Sequence, residues 1–166
     1  MRKQSKKTSA PPCDRNLWPN VIRICTINLH ISLLPWNKGA DPNLWSFLED
    51  TPKGVTIHLI DKKIDKGSIL LQREVNMDIE HETLRSSFQK LLDAIEELFM
   101  ENWEPFKAGR LKPFAQIGNG SCHRTPDKEK YRHLLQLGWD TPVKNLIGHA
   151  KEKSICCRLS TMIRAS

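Results

Sequence analysis

The chain is poor in the residue patterns that build metal sites or disulfide frameworks. Its five cysteines, Cys13, Cys25, Cys122, Cys156 and Cys157, form no C-x-x-C pair and stand at no metal-ligand spacing from a histidine. Zinc and a disulfide scaffold are therefore not expected, the vicinal Cys156-Cys157 pair is taken as two ordinary thiols, and a reducing cytoplasm fits. Long apolar runs are missing as well. None approaches the ~20 residues of a membrane-spanning helix, and the first residues lack the apolar stretch of a signal peptide. The expectation is a cytoplasmic protein with no membrane partner.

What is present suits one α/β domain. The 166 residues are 39% hydrophobic and 27% charged, enough for a moderate core. The formal net charge is +7, but much of the excess crowds the two ends: Arg2, Lys3, Lys6 and Lys7 at one, Lys151, Lys153, Arg158 and Arg164 at the other. That distribution argues against a nucleic-acid face, while a basic site also suits a pyrophosphate. Residues 1–20 are polar and broken by Pro11, Pro12 and Pro19, and are expected to form a solvated, disordered tail. Residues 149–166 are expected to form a second basic tail.

Between the tails, β-branched residues predict a strand over 21–29, and alternation predicts another over 55–60. Pro42 at a first helical position, with Asp41 as its cap, predicts a helix whose apolar face is Leu44, Trp45 and Leu48. Trp36 and Trp45 are expected to pack, not to stack on a base. A third strand follows over 68–75. A long amphipathic helix is expected from His81 to about Asn102, with Leu84, Phe88, Leu91, Ile95 and Leu98 on one stripe. That stripe is expected to cover a sheet face, with a homodimer contact through part of it as the alternative. Pro105 ends the helix. A short helix over 127–137 turns Tyr131, Leu134 and Leu135 inward, and Asp140-Thr141-Pro142 signals another helix start.

The polar chemistry gathers in residues 27–65. Asn28 and His30 are two apart at a strand end, so they point to one side, and a short loop after the second strand delivers Asp65. The carboxyl ends of strands in an open α/β sheet are where ligands bind. An amide and a protonated imidazole can both donate to an oxyanion forming on a carbonyl carbon, while a carboxylate fixes the imidazole tautomer and raises its basicity. No Ser or Cys nucleophile sits at the centre, which points to attack by a substrate group. His58 alternates with Ile57 and Leu59 and is expected on a polar or helix-covered face outside the chemistry. Lys38 and Gly39 are candidate substrate contacts, the first by charge and the second by allowing close backbone approach. His123 and Arg124 are candidate pyrophosphate contacts.

The run from Asn28 to Gln72 resembles the catalytic core of the formyltransferases that use 10-formyltetrahydrofolate. Asn28, His30 and Asp65 match that family's Asn-His-Asp triad, and Ser32-Leu33-Leu34-Pro35 and Gly54-Val55-Thr56 match in order and spacing. The segments Trp36 to Asn43, Gly120 to Arg124 and Gly138 to Val143 are similar to the branch that formylates nucleotide-linked amino-deoxy sugars. The resemblance implies the C-terminal part of a Rossmann-like core over 21–108, with a substrate-side strand/helix extension over 109–148. It implies 10-formyltetrahydrofolate as co-substrate and no metal. Folate contacts are implied at Ser32, Leu33, Leu34, Pro35, Asp61 and Ile64, the 61–66 loop using its backbone on the pterin edge. The chain departs from the family loop at Lys63, Lys66 and Ser68, and only 27 residues precede the triad where the family has a nucleotide-fold half. A methionyl-tRNA formyltransferase-like protein and an inactive truncated remnant are the alternatives.

Overall fold

The computed structural model describes residues 26–151. The first basic tail, residues 152–166 of the second with the Cys156-Cys157 pair, and residues 21–25 of the expected strand over 21–29 lie outside the described residues.

Three strands form the main sheet: β1 (Ile27–His30), β3 (Gly54–Leu59) and β4 (Ile69–Glu74). Their order is β1-β3-β4 with both pairings antiparallel. The β1–β3 register sets Asn28 opposite His58 and His30 opposite Thr56. Directly opposed residues of an antiparallel pair share a face, so these four polar side chains lie on one side. Val55 and Ile57 occupy the other. There they pack against α2 (Leu84–Glu101), whose Leu91, Ile95 and Leu98 are buried with them and with Leu70. The helical spacing anticipated that stripe. Thr83 caps α2, its hydroxyl accepting from the Ser86 N–H while the Ser86 hydroxyl accepts from the Thr83 N–H, which satisfies two of the donors left unpaired at the helix start.

A second cluster joins α1 (Pro42–Leu48) to the C-terminal segment. Leu44, Trp45, Phe47 and Leu48 meet Leu84, Val143, Leu146 and Ala150. Asp41 precedes α1 as expected, but its φ of 53° is left-handed and its side chain makes no cap; the carboxylate instead receives Lys128 Nζ at 3.0 Å. After α3 (Trp103–Lys107), the expected helix over 127–137 is a 3₁₀ run, Thr125–Leu134, with Tyr131, Leu134 and Leu135 half-buried against the α1 cluster.

A small parallel ladder completes the site's frame. β2 (Lys38–Gly39) pairs with β5 (Cys122–His123). Two glycines allow this approach. A Cβ on Gly39, at φ +87°, would meet the His123 carbonyl oxygen at 2.2 Å, and one on Gly120, at φ +57°, the Pro35 carbonyl oxygen at 1.8 Å.

Candidate active site

Asp65 is the hub of the polar face. Its φ of 49° belongs to a tight loop that folds the carboxylate back over β1 and β3. Oδ1 accepts from Asn28 Nδ2 at 3.1 Å, and Oδ2 accepts from the Gly39 backbone N–H at 2.8 Å. His30 Nδ1 lies 3.7 Å from Oδ2 and His58 Nε2 lies 3.5 Å from Oδ1. The structure therefore brings Asn28, His30 and Asp65 together, as the spacing implied. They meet on the face of an antiparallel ribbon, not in a crevice beyond parallel strand ends.

His58 is the residue that sequence reasoning missed. It is buried, and its ring stands edge-on to His30 with centroids 6.1 Å apart. Antiparallel pairing of two short strands that each carry polar residues at alternate positions, 28/30 and 56/58, was the available signal.

Electrostatics divide the two imidazoles. Burial lowers the His30 pKa below its ordinary 6.5, against the opposing pull of Asp65 and the Asn37 carbonyl. Asp65 does raise His30, as expected, but desolvation outweighs it and the net shift is downward. His58 is also penalised by burial, yet its contacts with Asp65 and the Leu59 carbonyl carry its pKa above 6.5. For Asp65, burial acts to raise the pKa, but His58, His30 and the Gly39 N–H outweigh it and hold the carboxyl at about 2.

The hydrogen-bond partners assign the protons. His30 Nε2 faces the Asn37 carbonyl oxygen at 3.3 Å, so the neutral ring carries its proton there and presents Nδ1 bare towards Asp65 and the cavity. His58 Nδ1 donates to the Leu59 carbonyl at 2.9 Å. Its Nε2 has two neighbours that demand opposite roles, since Asn28 Nδ2 at 3.3 Å is a donor and Asp65 Oδ1 is an acceptor. The Asp65 carboxylate favours the protonated form, which donates to it. One amide hydrogen of Asn28 is then freed for another acceptor.

An open cavity of 440 Å³ is lined by Asn28, His30, Gly39, Asp65, His123 and Arg124 among others. A larger one, 490 Å³, lies between α1, α2 and Trp139; it is mainly apolar and its charged pair, Asp41 and Lys128, is internally matched. Asn28, His30 and Asp65 all border the smaller cavity. Arg124 is exposed at its rim beside Thr125, and Ile64 and Asp61 are exposed on the loop. His123 is partly withdrawn: its ring stacks on Trp45 at 3.7 Å, and Nε2 lies 3.0 Å from Glu49 Oε1, close enough for charge pairing but out of hydrogen-bond alignment.

Two expected contacts are corrected. Lys38 is buried and its ammonium donates to the carbonyls of Pro35 at 2.6 Å and Asn119 at 3.1 Å, so it tethers backbone. Gly39 does permit close approach, but the backbone that approaches is that of His123. In the 32–35 loop, Ser32 and Leu34 are buried, Ser32 Oγ donating to the Trp36 carbonyl at 2.8 Å; these side chains shape the loop from beneath. Among the described residues no cluster of His, Cys, Asp and Glu could hold a metal ion, and no helix is long and apolar enough to cross a membrane.

An α/β frame thus sets an amide, an imidazole and a carboxylate on one cavity, with the His58 imidazole against the same carboxylate. Residues 18–102, more than half the chain, match the formyl transferase family, and the chain belongs to that family. The formyltransferase PseJ from Anoxybacillus kamchatkensis, solved with UDP-4,6-dideoxy-4-formamido-L-AltNAc and tetrahydrofolate, is 59% identical over 75% of this chain and 65% of that one, with a TM-score of 0.73. An N-formyltransferase from Helicobacter canadensis, solved with folinic acid and dTDP-3-aminofucose, is 30% identical over 61% of this chain and 38% of that one, with a TM-score of 0.57. Among curated relatives, the methionyl-tRNA formyltransferase of Pelobacter propionicus is 32% identical over 72% of this chain, and the dTDP-4-amino-4,6-dideoxyglucose formyltransferase of Mycobacterium bovis 30% identical over 65%. The chain spans 37% and 46% of those two relatives, respectively. The partial span agrees with the C-terminal portion of a core.

Proposed function

We propose that this chain carries the chemical centre of an N-formyltransferase that moves the formyl group of 10-formyltetrahydrofolate to the amino group of a nucleotide-linked amino-deoxy sugar. The observation that carries the reading is the convergence of Asn28 and His30 on Asp65, at 3.1 and 3.7 Å, around a single cavity. The 59% identity to an enzyme solved with a formamido sugar nucleotide and tetrahydrofolate supports the substrate class. Such an enzyme would work in the cytoplasm and supply precursors of surface polysaccharide.

In this reading the sugar amine attacks the formyl carbon, the new C–N bond forms, and the carbonyl oxygen becomes an oxyanion. The Asn28 amide hydrogen that His58 frees donates to that oxygen, a contact worth about 10²–10³ in rate in comparable acyl chemistry. His30, kept neutral by burial, takes the amine proton on Nδ1 and relays it to N10 as the C–N10 bond breaks. Asp65 holds both imidazoles. Ser32 to Pro35, Asp61 and Ile64 border the folate side, and Gly39, His123 and Arg124 border the sugar-nucleotide side.

The test is a formyl-transfer assay with 10-formyltetrahydrofolate and a UDP-linked 4-amino sugar, run beside initiator methionyl-tRNA. Formylation of the sugar nucleotide alone supports the reading. Transfer to the tRNA would move the protein to the methionyl-tRNA branch, whose curated relatives are 29–36% identical, and transfer to neither, in a chain shown to be folded, would mark an inactive remnant.

A further inference from the structure

Asn37 is completely buried and sits at φ 55°, a left-handed backbone that a non-glycine residue holds only when its surroundings enforce it. Every polar group it has is engaged. Its backbone N–H donates to Ser121 Oγ at 2.9 Å, its Nδ2 to Glu49 Oε2 at 3.0 Å, and its Oδ1 accepts from Thr51 Oγ1 at 2.8 Å. The one remaining group, the carbonyl oxygen, receives His30 Nε2.

Glu49 anchors this arrangement from a nearly buried position. Its Oε2 also accepts from Ser121 Oγ at 2.5 Å, and its Oε1 lies against His123. The same loop sends the Gly39 N–H to Asp65, while Lys38 ties it to Asn119 and β5. One short loop, 35–39, thus holds both His30 and Asp65, and residues 119–123 hold the loop.

We infer that Asn37 is the positioning residue for His30: pinned by Glu49, Thr51 and Ser121, its carbonyl dictates which imidazole nitrogen carries the proton. Without that acceptor aimed at Nε2, the proton is equally at home on Nδ1, where Asp65 would accept it, and the ring then has no base facing the amine. The inference rests on the formyl-transfer reading for its catalytic consequence, but its structural content stands apart from activity.

The experiment is nitrogen-15 NMR of the imidazoles in the whole chain at pH 7.5, with Asn37→Gly, Thr51→Val and Thr51→Ser. Asn37→Gly keeps the carbonyl and tolerates the left-handed backbone but removes the side-chain anchors. Wild type and Thr51→Ser should show His30 as a single Nε2–H tautomer, and Asn37→Gly and Thr51→Val a mixture. In active protein the same two variants should lose about tenfold in kcat, with KM for both substrates within about twofold, as expected of misplacement and not of lost binding. A tautomer that stays Nε2–H in both folded variants, or one already mixed in wild type, overturns the inference. Should Asn37→Gly not fold, Thr51→Val decides alone. Absence of formyl transfer in wild type would refute the proposed function while leaving the tautomer result to judge this one.

Discussion

The two faces of the β1–β3 ribbon are built from the same few residues of backbone and do opposite work. On one, Val55 and Ile57 are closed under Leu91, Ile95 and Leu98 of α2. On the other, Asn28, His30 and His58 gather on Asp65, and Thr56 lies beneath the 32–35 loop. Burial is comparable, but the first face gains from losing water, whereas the second must be compensated group by group with hydrogen bonds and charge. A strand's two-residue period lets six residues supply stability and chemistry at once. Changes on the apolar face should therefore alter stability and spare turnover, and changes on the polar face should do the reverse.

The largest effect expected is on the polar face. Asp65→Asn removes the charge that holds two imidazoles, and formyl transfer should fall about 10³-fold. Steady-state kinetics on folded variant checks this; a rate within tenfold of wild type would take Asp65 out of the mechanism. The mirror experiment is Leu91→Ala. It leaves a cavity beneath Ile57 and should destabilise by about 3 kcal/mol in urea titrations while kcat per folded molecule is unchanged. A large kcat loss there would show that the faces are mechanically coupled.

The polar face is not neutral for stability, and pH exposes its share. Asp65 titrates at about 2 when folded against 3.8 ordinarily. Its contribution, about 2 kcal/mol, is therefore present above pH 4 and lost as the pH falls towards 2. The histidines oppose each other at higher pH. His58, raised, contributes stability below 6.5 that fades as pH rises through its folded value, while His30, lowered, loses stability as pH falls through 6.5. The midpoint for urea unfolding should therefore rise as the pH falls to 6.5, decline below 6.5 as His30 is forced to protonate, and drop further below pH 4, and Asp65→Asn should flatten that last drop.

How much of this was legible beforehand follows from the range of the signals involved. The α2 stripe, the strand at 54–59 and the Asn28/His30 pairing are set by neighbours in sequence, and each is where periodicity puts it. Cross-strand partners are not. His58 looked like a polar-face residue because nothing local reveals that β1 lies antiparallel to β3 and sets Asn28 opposite it. Lys38 carried a charge in a motif loop and so looked like a substrate contact; that two carbonyls, the nearby Pro35 and Asn119, the latter 81 residues away in sequence, consume its ammonium is a fact of the β2–β5 ladder. Asn37, Glu49 and Ser121 escaped for the same reason, as each is unremarkable until the other two are beside it. The 3₁₀ run at 125–134 reflects a segment with few apolar residues, where packing of Tyr131 and Leu134 decides the winding more than propensity does.

Thr56 is the position where the two-face comparison is tested most finely. It lies on the polar face directly opposite His30, yet its hydroxyl touches no reacting group. It donates to the Ser32 carbonyl at 2.7 Å and accepts from the Leu34 N–H at 3.1 Å and Gln72 Nε2 at 3.0 Å, so it carries the 32–35 loop from below. Thr56→Val keeps the shape and leaves those buried groups unpaired, which should cost roughly 1–2 kcal/mol of stability. If faces alone decided function, kcat would collapse as it does for Asp65→Asn. The contacts predict instead a modest stability loss with kcat within about threefold of wild type, because the proposed proton path through His30 does not pass through the Thr56 hydroxyl. A kcat loss beyond a hundredfold would mean that the loop beneath the cavity, and not only the side chains facing it, sets the geometry of the transfer.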